Sequence, residues 1–321
     1  MTNGPITYMI GEMGGSMTGI EIGATESDGS GGSTLTEGVR DHVTGGWSPD
    51  GSQIVYMKEG AEAGDTNIWV MSADGSGAHR LTSGPLWDGF AQFSPAGDRI
   101  AFVRMVEDAE TASPPGLYVM NADGSDVHAV IDFPPHSSIT FFSWFPDGRR
   151  FAFTYYGAGA EGVFTIDADG TDRRQIFDGS GGTVLWSPDG SQLLFDSRLG
   201  VSVANADGSD LRTLITGDQM LTYESFRWSP DGSQILSVRP NERARSDELW
   251  VMDSDGSNDR RVSENLTWRE GGATWSPDGM QIAFNRDGDI WIVALDGSGE
   301  HRITDSPAYE SEPTWGAAVT P

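Results

Sequence analysis

Short apolar runs separated by turn residues make up most of this chain. Gln53 to Met57 and Asn67 to Met71 are alternating or rich in aromatic and β-branched residues, and neither shows the 3.6-residue period of an amphipathic helix. Glycine is abundant, with 43 residues, and many of the glycines follow aspartate. This pattern predicts many short strands joined by tight turns, and no long helix.

The runs recur with two kinds of turn. An aromatic residue followed by a turn of the Ser-Pro-Asp-Gly type begins at Trp47, Phe93, Trp144, Trp186, Trp228 and Trp275, and Trp315 begins a seventh copy. An Asp-Gly turn follows each of the first six anchors, and a seventh, Asp28-Gly29, precedes Trp47. Proline presets φ for a type I turn, and glycine accepts the left-handed conformation. Each repeat therefore predicts four strands, A to D, with the aromatic on strand A and tight A–B and C–D turns.

Four strands in each repeat of roughly 40 to 50 residues are typical of a β-propeller. The predicted fold class is all-β, a seven-bladed β-propeller of four-stranded antiparallel blades. Seven anchors match seven Asp-Gly turns only if Trp315 to Val319 supplies strand A to strands B, C and D at Ile6 to Ile10, Ile20 to Gly23 and Thr34 to Thr36. We therefore expect one domain, 1–321, whose ring is closed by a composite blade of 1–37 and 309–321.

The repeat resembles those of the TolB-type, WD-repeat-like propellers. The resemblance rests on Asn67-Ile-Trp-Val-Met71, Asp74-Gly-Ser76 and Arg80-Leu-Thr82. TolB itself has six blades and a separate N-terminal α/β domain, whereas this chain shows seven repeats and no such domain. The resemblance implies a periplasmic or secreted protein. The first strand-like run begins at Ile6, so no signal peptide is expected in this sequence, and we expect either a cytoplasmic protein or one whose leader was removed. Similar repeats occur in oligogalacturonate lyases, a likeness that implies histidine and metal chemistry at the propeller centre.

The formal net charge of -28 disfavours nucleic acid as a partner, because such a surface repels phosphate backbones. Cationic partners or metal ions suit it better. The chain has no cysteine, so disulfides, thiolate metal sites and cysteine nucleophiles are excluded. No run approaches the ~18 consecutive apolar residues of a membrane helix, so membrane insertion is not expected.

Most residues that could carry chemistry also belong to the repeat. The anchor aromatics are expected to pack between blades, and His79, His128 and His301 occupy equivalent places after the Asp-Gly turn. Asp167 to Asp172 and Asp253 to Asp259 are acidic enough to attract calcium or another divalent metal, but the hairpin interpretation is favoured and no cofactor is required.

The loops between repeats differ most, and these are where a ligand site is expected. With the A–B and C–D turns on one face, the B–C and D–A loops share the other face, around the mouth of the channel. We call the residues predicted there the rim: Arg40, His42, Trp87, Asp88, His136, Tyr223, Glu224, Trp268, Arg269, Glu270, Tyr309, Glu310 and Glu312. Aromatics beside carboxylates suit a polar or cationic ligand, a peptide or a carbohydrate. The B–C loops at Lys58 to Thr66, Val106 to Pro115 and Pro240 to Asp247 extend the same face.

The sequence thus favours a monomeric, non-catalytic binding or scaffold propeller whose partner is a protein, peptide or carbohydrate. The first alternative is a metal-assisted lyase or hydrolase with its site at the channel mouth, where His42, His136 or the rim carboxylates would hold the ion. The second alternative is a sensory or accessory propeller domain of a larger protein.

Overall fold

The computed structural model describes residues 3–11, 20–36, 41–60, 65–84, 86–105, 114–134, 137–157, 160–179, 181–197, 200–216, 226–266 and 272–317, with the backbone alone at 41–45. Every regular element in these ranges is a β-strand. Among the described residues there is no helix with the length and apolar character needed to cross a membrane. The chain divides into two compact units: unit 1 is Met1–Ile54, Met71–Gly77 and Gln219–Pro321, and unit 2 is Val55–Val70 and Ala78–Asp218.

The strands are β1 (Asn3–Gly11), β2 (Glu21–Thr25), β3 (Ser33–Thr34), β4 (Asp41–Trp47), β5 (Gln53–Glu59), β6 (Thr66–Ser72), β7 (His79–Arg80), β8 (Trp87–Phe93), β9 (Arg99–Met105), β10 (Gly116–Asn121), β11 (His128–Asp132), β12 (Ser138–Trp144), β13 (Arg150–Gly157), β14 (Ala160–Asp167), β15 (Arg174–Asp178), β16 (Gly181–Trp186), β17 (Gln192–Ser197), β18 (Gly200–Asn205), β19 (Arg212–Thr216), β20 (Phe226–Trp228), β21 (Gln234–Asn241), β22 (Ser246–Asp253), β23 (Arg260–Leu266), β24 (Ala273–Trp275), β25 (Gln281–Arg286), β26 (Asp289–Ala294), β27 (His301–Arg302) and β28 (Tyr309–Ala317).

The described strands form seven four-stranded blades, as the repeat count predicts. Five blades are separate sheets, whereas the two blades β4 to β7 and β8 to β11 form one eight-stranded sheet, because Thr66 of β6 pairs with Trp87 of β8. The strand orders of the blades are β28-β1-β2-β3, β4-β5-β6-β7, β8-β9-β10-β11, β12-β13-β14-β15, β16-β17-β18-β19, β20-β21-β22-β23 and β24-β25-β26-β27. Neighbouring strands within each blade for which a register is described are antiparallel, and only the contact between β6 and β8, which joins two blades, is parallel among the described registers. The all-β class and the four-strand repeat are confirmed.

The first sheet contains the predicted pairing of the two ends of the chain. β28 runs antiparallel to β1, and Trp315 lies opposite Ile6. The predicted bounds of strand A were wrong, because β28 begins at Tyr309 rather than Trp315. The reason is local: the A–B turn starts directly after the anchor aromatic, so the strand must lie before it, and the anchor is the last residue of β4, β8 and β12.

The A–B turn has the geometry that its sequence predicts. In the first repeat the Gly51 N–H donates to the Ser48 carbonyl at 2.9 Å, and Gly51 has a φ of 71°. The Asp50 carboxylate accepts the Ser48 hydroxyl at 2.6 Å and the Ser52 N–H at 3.0 Å. These hydrogen bonds hold the pKa of Asp50 below its usual value. The aspartate therefore stabilises the turn as a carboxylate.

The anchor aromatics pack between adjacent sheets of one unit. In unit 1 the Trp47 indole N–H donates to the Thr314 carbonyl at 3.3 Å, and that of Trp275 donates to the Arg227 carbonyl at 3.4 Å. In unit 2 Trp144 makes the same bond to Gln92 at 3.3 Å. Each acceptor is the residue directly before the anchor aromatic of the adjacent sheet. The predicted packing role of these anchors is confirmed.

One predicted loop is absent. Pro240 and Asp247 are partners across β21 and β22, so the expected loop from Pro240 to Asp247 is mostly strand with a short turn. Proline suggested a break, but a strand tolerates proline where no ladder hydrogen bond needs its N–H.

Candidate functional site

Five rim residues lie within the described residues, and all five are on a strand A. Trp87 and Asp88 begin β8 in unit 2, whereas Tyr309, Glu310 and Glu312 lie on β28 in unit 1. The remaining rim residues fall outside the described residues, or in the case of His42 have no described side chain; these are Arg40, His42, His136, Tyr223, Glu224, Trp268, Arg269 and Glu270. The geometry of the candidate site is therefore described from the residues on β8 in unit 2 and, separately, from those on β28 in unit 1.

Both strands are bulged at the same point. Phe90 and Glu312, each three residues before its anchor, have φ values of 54° and 50°. The pairing register of β8 with β9 and of β28 with β1 shifts nearby. Bulges of this kind redirect side chains and are frequent beside functional sites.

Asp88 forms a buried ion pair inside its own sheet. Its carboxylate accepts the Arg104 Nε–H at 2.6 Å and an Nη2–H at 2.8 Å, and both side chains are less than a tenth exposed. The Arg104 guanidinium lies 4.6 Å from the centre of the Tyr118 ring. Arg104 and Asp88 are direct partners across β9 and β8. The charge of this rim residue is thus neutralised by the end of strand B.

Glu310 occupies the equivalent position in the β28-β1-β2-β3 sheet, but without the arginine. Like Asp88, it lies five residues before the anchor, and its partner across the sheet is Ile10. Glu310 is only 2% exposed. Oε1 accepts the Ser306 hydroxyl at 2.7 Å, and the Thr304 side chain also interacts with this carboxyl and lowers its pKa. Among the described residues no hydrogen bond of ordinary geometry reaches Oε2, so one oxygen of a buried carboxyl lacks a well-formed hydrogen bond.

A second acid lies beside it. The Glu310 N–H donates to the Gly288 carbonyl at 2.8 Å, which brings the β25–β26 turn and Asp289 next to β28. Burial raises the pKa of the Glu310 carboxyl, and the negative charge of Asp289 raises it further. Burial and the charge of Glu310 also raise the pKa of Tyr8 to about 12. Burial away from solvent is thus the largest cause of the raised pKa values of Glu310 and Tyr8.

Arg302 forms ion pairs with two carboxylates near Glu310. Arg302 donates to Asp289 Oδ2 at 3.0 Å and contacts Asp305 Oδ1 at 2.8 Å. Asp289 Oδ1 and the Tyr309 hydroxyl are buried and have no hydrogen-bond partner among the described residues. We call Asp289, Asp305 and Glu310, with Arg302 and Tyr309, the acidic cluster.

Sequence reasoning found Tyr309 and Glu310 but missed Asp289, Asp305, Arg302 and Tyr8. The signal that could have identified the site is a comparison of repeats. Asp88 and Glu310 align, yet the strand B residue opposite them is Arg104 in one sheet and Ile10 in the other. Three carboxylates against one guanidinium suit an external donor of hydrogen bonds that carries positive charge.

The other candidate residues are occupied by local contacts. His128 Nδ1 lies 2.8 Å from the Asp126 carbonyl and His301 Nδ1 lies 2.7 Å from the Gly299 carbonyl, in agreement with a structural role on strand D. In the two acidic turns Asp169 accepts the Thr171 N–H and Asp253 accepts the Asn258 side chain. In the described part of the chain no group of three or more His, Asp or Glu side chains is arranged to hold a metal ion. The ligand set that a lyase-type metal would need is therefore not among the described residues, and calcium binding stays a prediction.

Comparison with known proteins covers parts of the sequence. Residues 245–315 match the family model of the Dipeptidyl peptidase IV (DPP IV) N-terminal region. The Tol-Pal system protein TolB of Anaeromyxobacter dehalogenans (strain 2CP-C) is 51% identical over 49 residues, which are 15% of this chain and 11% of that protein. An uncharacterized protein of Agrobacterium fabrum (strain C58) is 30% identical over 128 residues, 38% of this chain and 42% of that protein. The matched segments thus span less than half of either relative.

Solved structures resemble the chain over nearly its whole length. A puromycin hydrolase has a TM-score of 0.69 at 13% identity, covering 95% of this chain and 53% of its own. An oligogalacturonate lyase in complex with manganese has a TM-score of 0.68 at 15% identity, covering 94% and 85%. TolB from Acinetobacter baumannii has a TM-score of 0.58 at 15% identity, covering 97% and 82%. At these identities the likeness shows the fold alone. Together with the seven four-stranded blades of the described residues, it confirms a seven-bladed, TolB-like β-propeller.

Proposed function

We propose that this TolB-like β-propeller is a non-catalytic binding or scaffold protein that takes a cationic group of a protein or peptide partner at the acidic cluster. The observation that carries the proposal is that Ile10 occupies the strand B position in this blade at which the β8–β11 blade has Arg104. The acid at the start of strand A is retained as Glu310, while the arginine that neutralises its counterpart Asp88 is missing.

The Asp88–Arg104 pair supplies the template for the contact. A guanidinium from the partner would donate to Glu310 Oε2 as Arg104 donates to Asp88, with Asp289 Oδ1 and the Tyr309 hydroxyl as further acceptors. Such charge-assisted bonds are stronger in a site from which water is excluded. The Tol-Pal system protein TolB among the relatives favours a protein partner, and the rim residues outside the described ranges are proposed as its further contacts.

The electrostatics add a pH dependence to this binding. Without a cation, the buried Glu310 carboxyl has a raised pKa and holds its proton more readily than a free glutamate. A bound cation favours the carboxylate, so binding releases a proton and the affinity rises as the pH increases through the pKa of Glu310.

The proposal is tested by titrating the protein with tri-arginine peptide while the melting temperature and the heat of binding are measured. A bound ligand raises the melting temperature by mass action. Glu310→Gln should reduce this effect, and Ile10→Arg should abolish it by supplying the missing guanidinium within the chain. The matched control is Glu26→Gln, the same substitution at an exposed glutamate of unit 1. Equal binding of the peptide to Glu310→Gln and Glu26→Gln would refute the proposal, and preference for a neutral oligosaccharide would assign the site to carbohydrate.

The alternative is a lyase or hydrolase, and one observation favours it. A glutamate whose pKa is raised by burial, as that of Glu310 is, holds its proton to a higher pH than a free glutamate, which is the direction that a general acid requires. The oligogalacturonate lyase and the puromycin hydrolase show that propellers of this fold accompany such activities. Turnover of oligogalacturonate in the presence of manganese, lost in Glu310→Gln and kept in Glu26→Gln, would establish the alternative.

A further inference from the structure

A cleft of about 540 Å³ lies at the A–B and C–D turns of the β12-β13-β14-β15 sheet in unit 2. It is lined by three arginines, one histidine and three aspartates, together with Ala168. The formal net charge of the whole chain is -28, with only 20 lysines and arginines. Three guanidinium groups balance the three carboxylates of this lining, so the cleft lacks the strong negative formal charge of the protein as a whole.

The basic residues are also a departure from the repeat. The A–B turn of this sheet carries Phe145, Arg149 and Arg150. The corresponding residues of the next two sheets are Ser187, Ser191 and Gln192, and Ser229, Ser233 and Gln234. The aspartates of the cleft, by contrast, include Asp147 and Asp169, which occupy the usual aspartate positions of the two turns. The preceding A–B turn also has an arginine, Arg99, at the place of Arg150, so what distinguishes this turn from the others is its aromatic ring and the second positive charge, Arg149.

The aromatic ring orients one of the arginines. The Arg150 guanidinium lies 3.9 Å from the centre of the Phe145 ring, and that ring contacts Trp186 edge-on at 4.8 Å. Stacking covers one face of the guanidinium and leaves its in-plane N–H donors free to bond. No hydrogen bond or ion pair joins the Arg150 or Arg149 guanidinium to another described residue. Arg99, which stacks on Trp144 at 5.1 Å, adds a third charge, but one of its Nη2–H groups already donates to the Gly148 carbonyl.

Two of the three aspartates are engaged by their own turns. Asp169 Oδ1 accepts the Thr171 N–H at 2.9 Å and the Thr171 hydroxyl at 2.6 Å, and the hydroxyl and N–H bonds lower the pKa of Asp169. Asp147 Oδ1 accepts the Arg149 N–H at 2.8 Å. These two carboxylates therefore direct acceptors into the turns, and the Asp167 carboxylate is left beside the donors of Arg149 and Arg150 in the cleft.

We propose that this cleft is a binding site for an oxyanion, a carboxylate or phosphate group, held by the N–H donors of Arg149 and Arg150. The fork of a stacked guanidinium matches two oxygens of such a group. The protein as a whole repels anions, so the attraction between the anion and the two guanidinium groups acts only at short range. Salt screens this attraction where the guanidinium groups are exposed to solvent. The site lies on the turns rather than on the rim, and it does not depend on the cation site proposed above.

The test is calorimetric titration of the whole protein with inorganic phosphate and, separately, with succinate. The double variant Arg149→Ser/Arg150→Gln carries the residues of the next two sheets, so it should fold with an unchanged melting temperature. We expect it to bind the anion about tenfold more weakly or worse, since each lost charge-assisted hydrogen bond accounts for about that factor. The matched control, Arg174→Gln, removes an exposed arginine paired with Asp172 and should bind as the wild type does.

The two ligands distinguish the sources of the anion. Binding of both, lost in the double variant only, supports a general oxyanion site, and binding of phosphate alone narrows it to a phosphate group. The proposal is overturned if neither anion binds the wild type at about 10 mM, or if the double variant and Arg174→Gln bind equally well.

Discussion

Replacing Trp315 by alanine tests the pairing between the two ends of the chain. The indole is 7% exposed and packs in a cluster with Ile6, Tyr8 and Ile292. Its N–H donates to the Gly4 carbonyl at 2.9 Å. One side chain of β28 thus joins the first strand of the chain by both apolar contact and a hydrogen bond.

The expected loss can be divided between these contacts. Truncation of a buried tryptophan to alanine costs about 3 to 5 kcal/mol, which includes the cavity left behind. Trp315→Phe keeps most of the apolar contact but leaves the Gly4 carbonyl without its donor, and a lost hydrogen bond of this kind costs about 1 kcal/mol. The free energy of unfolding should therefore fall in the order wild type, Trp315→Phe, Trp315→Ala.

Urea denaturation measures the magnitude, and amide hydrogen exchange locates it. In Trp315→Ala the amides of β1 should exchange faster together with those of β28, because each strand is the other's partner. Trp250→Ala, in the β20-β21-β22-β23 sheet of the same unit, is the matched control and should leave β1 protected. If β1 keeps its protection in Trp315→Ala, or if the loss is below about 1 kcal/mol, the pairing does not stabilise the protein as argued.

Three further predictions concern carboxylates. Glu310→Gln should raise the free energy of unfolding at pH 7, because the raised pKa of Glu310 makes its ionised form unfavourable in the folded state; the gain should disappear as the pH falls below about 4.3, and urea denaturation at the two pH values checks it. Asp88→Asn should cost about 3 to 5 kcal/mol, since it leaves the buried Arg104 guanidinium without a counter-charge, and a double-mutant cycle with Arg104→Met should recover part of the loss. Asp231→Ala removes an acceptor of the Ser229 hydroxyl and should cost about 1 kcal/mol at pH 7. Because hydrogen bonds lower the pKa of Asp231, its contribution is present above the unfolded pKa of about 3.9 and is lost at lower pH, so equal costs at pH 7 and pH 3 in thermal unfolding would contradict this account.

The turns and the strand count could be read from the sequence because their causes are local. Proline and glycine restrict or widen φ at their own positions, and the Ser48 and Asp50 side chains close hydrogen bonds within a few residues. Because the repeat recurs seven times, the number of strands could be counted reliably. The incomplete first and last repeats predicted that a strand carrying Trp315 pairs with the strand that begins at Ile6. The bounds of strand A were missed, since the aromatic was read as the start of a strand that it ends.

The charge state of the rim depended on contacts that no local pattern encodes. Asp88 and Glu310 have the same place in the repeat, but their environments are set by Arg104 in one sheet and by Ile10, some 300 residues away in sequence, in the other. Arg150 stacks on Phe145 within one turn, but its contact with the Trp186 ring needs two sheets to be packed together. Local sequence determined the strands and turns of this propeller, whereas the tertiary structure decided which carboxylates and guanidinium groups are neutralised, because electrostatic partners are selected by distance in space and not along the chain.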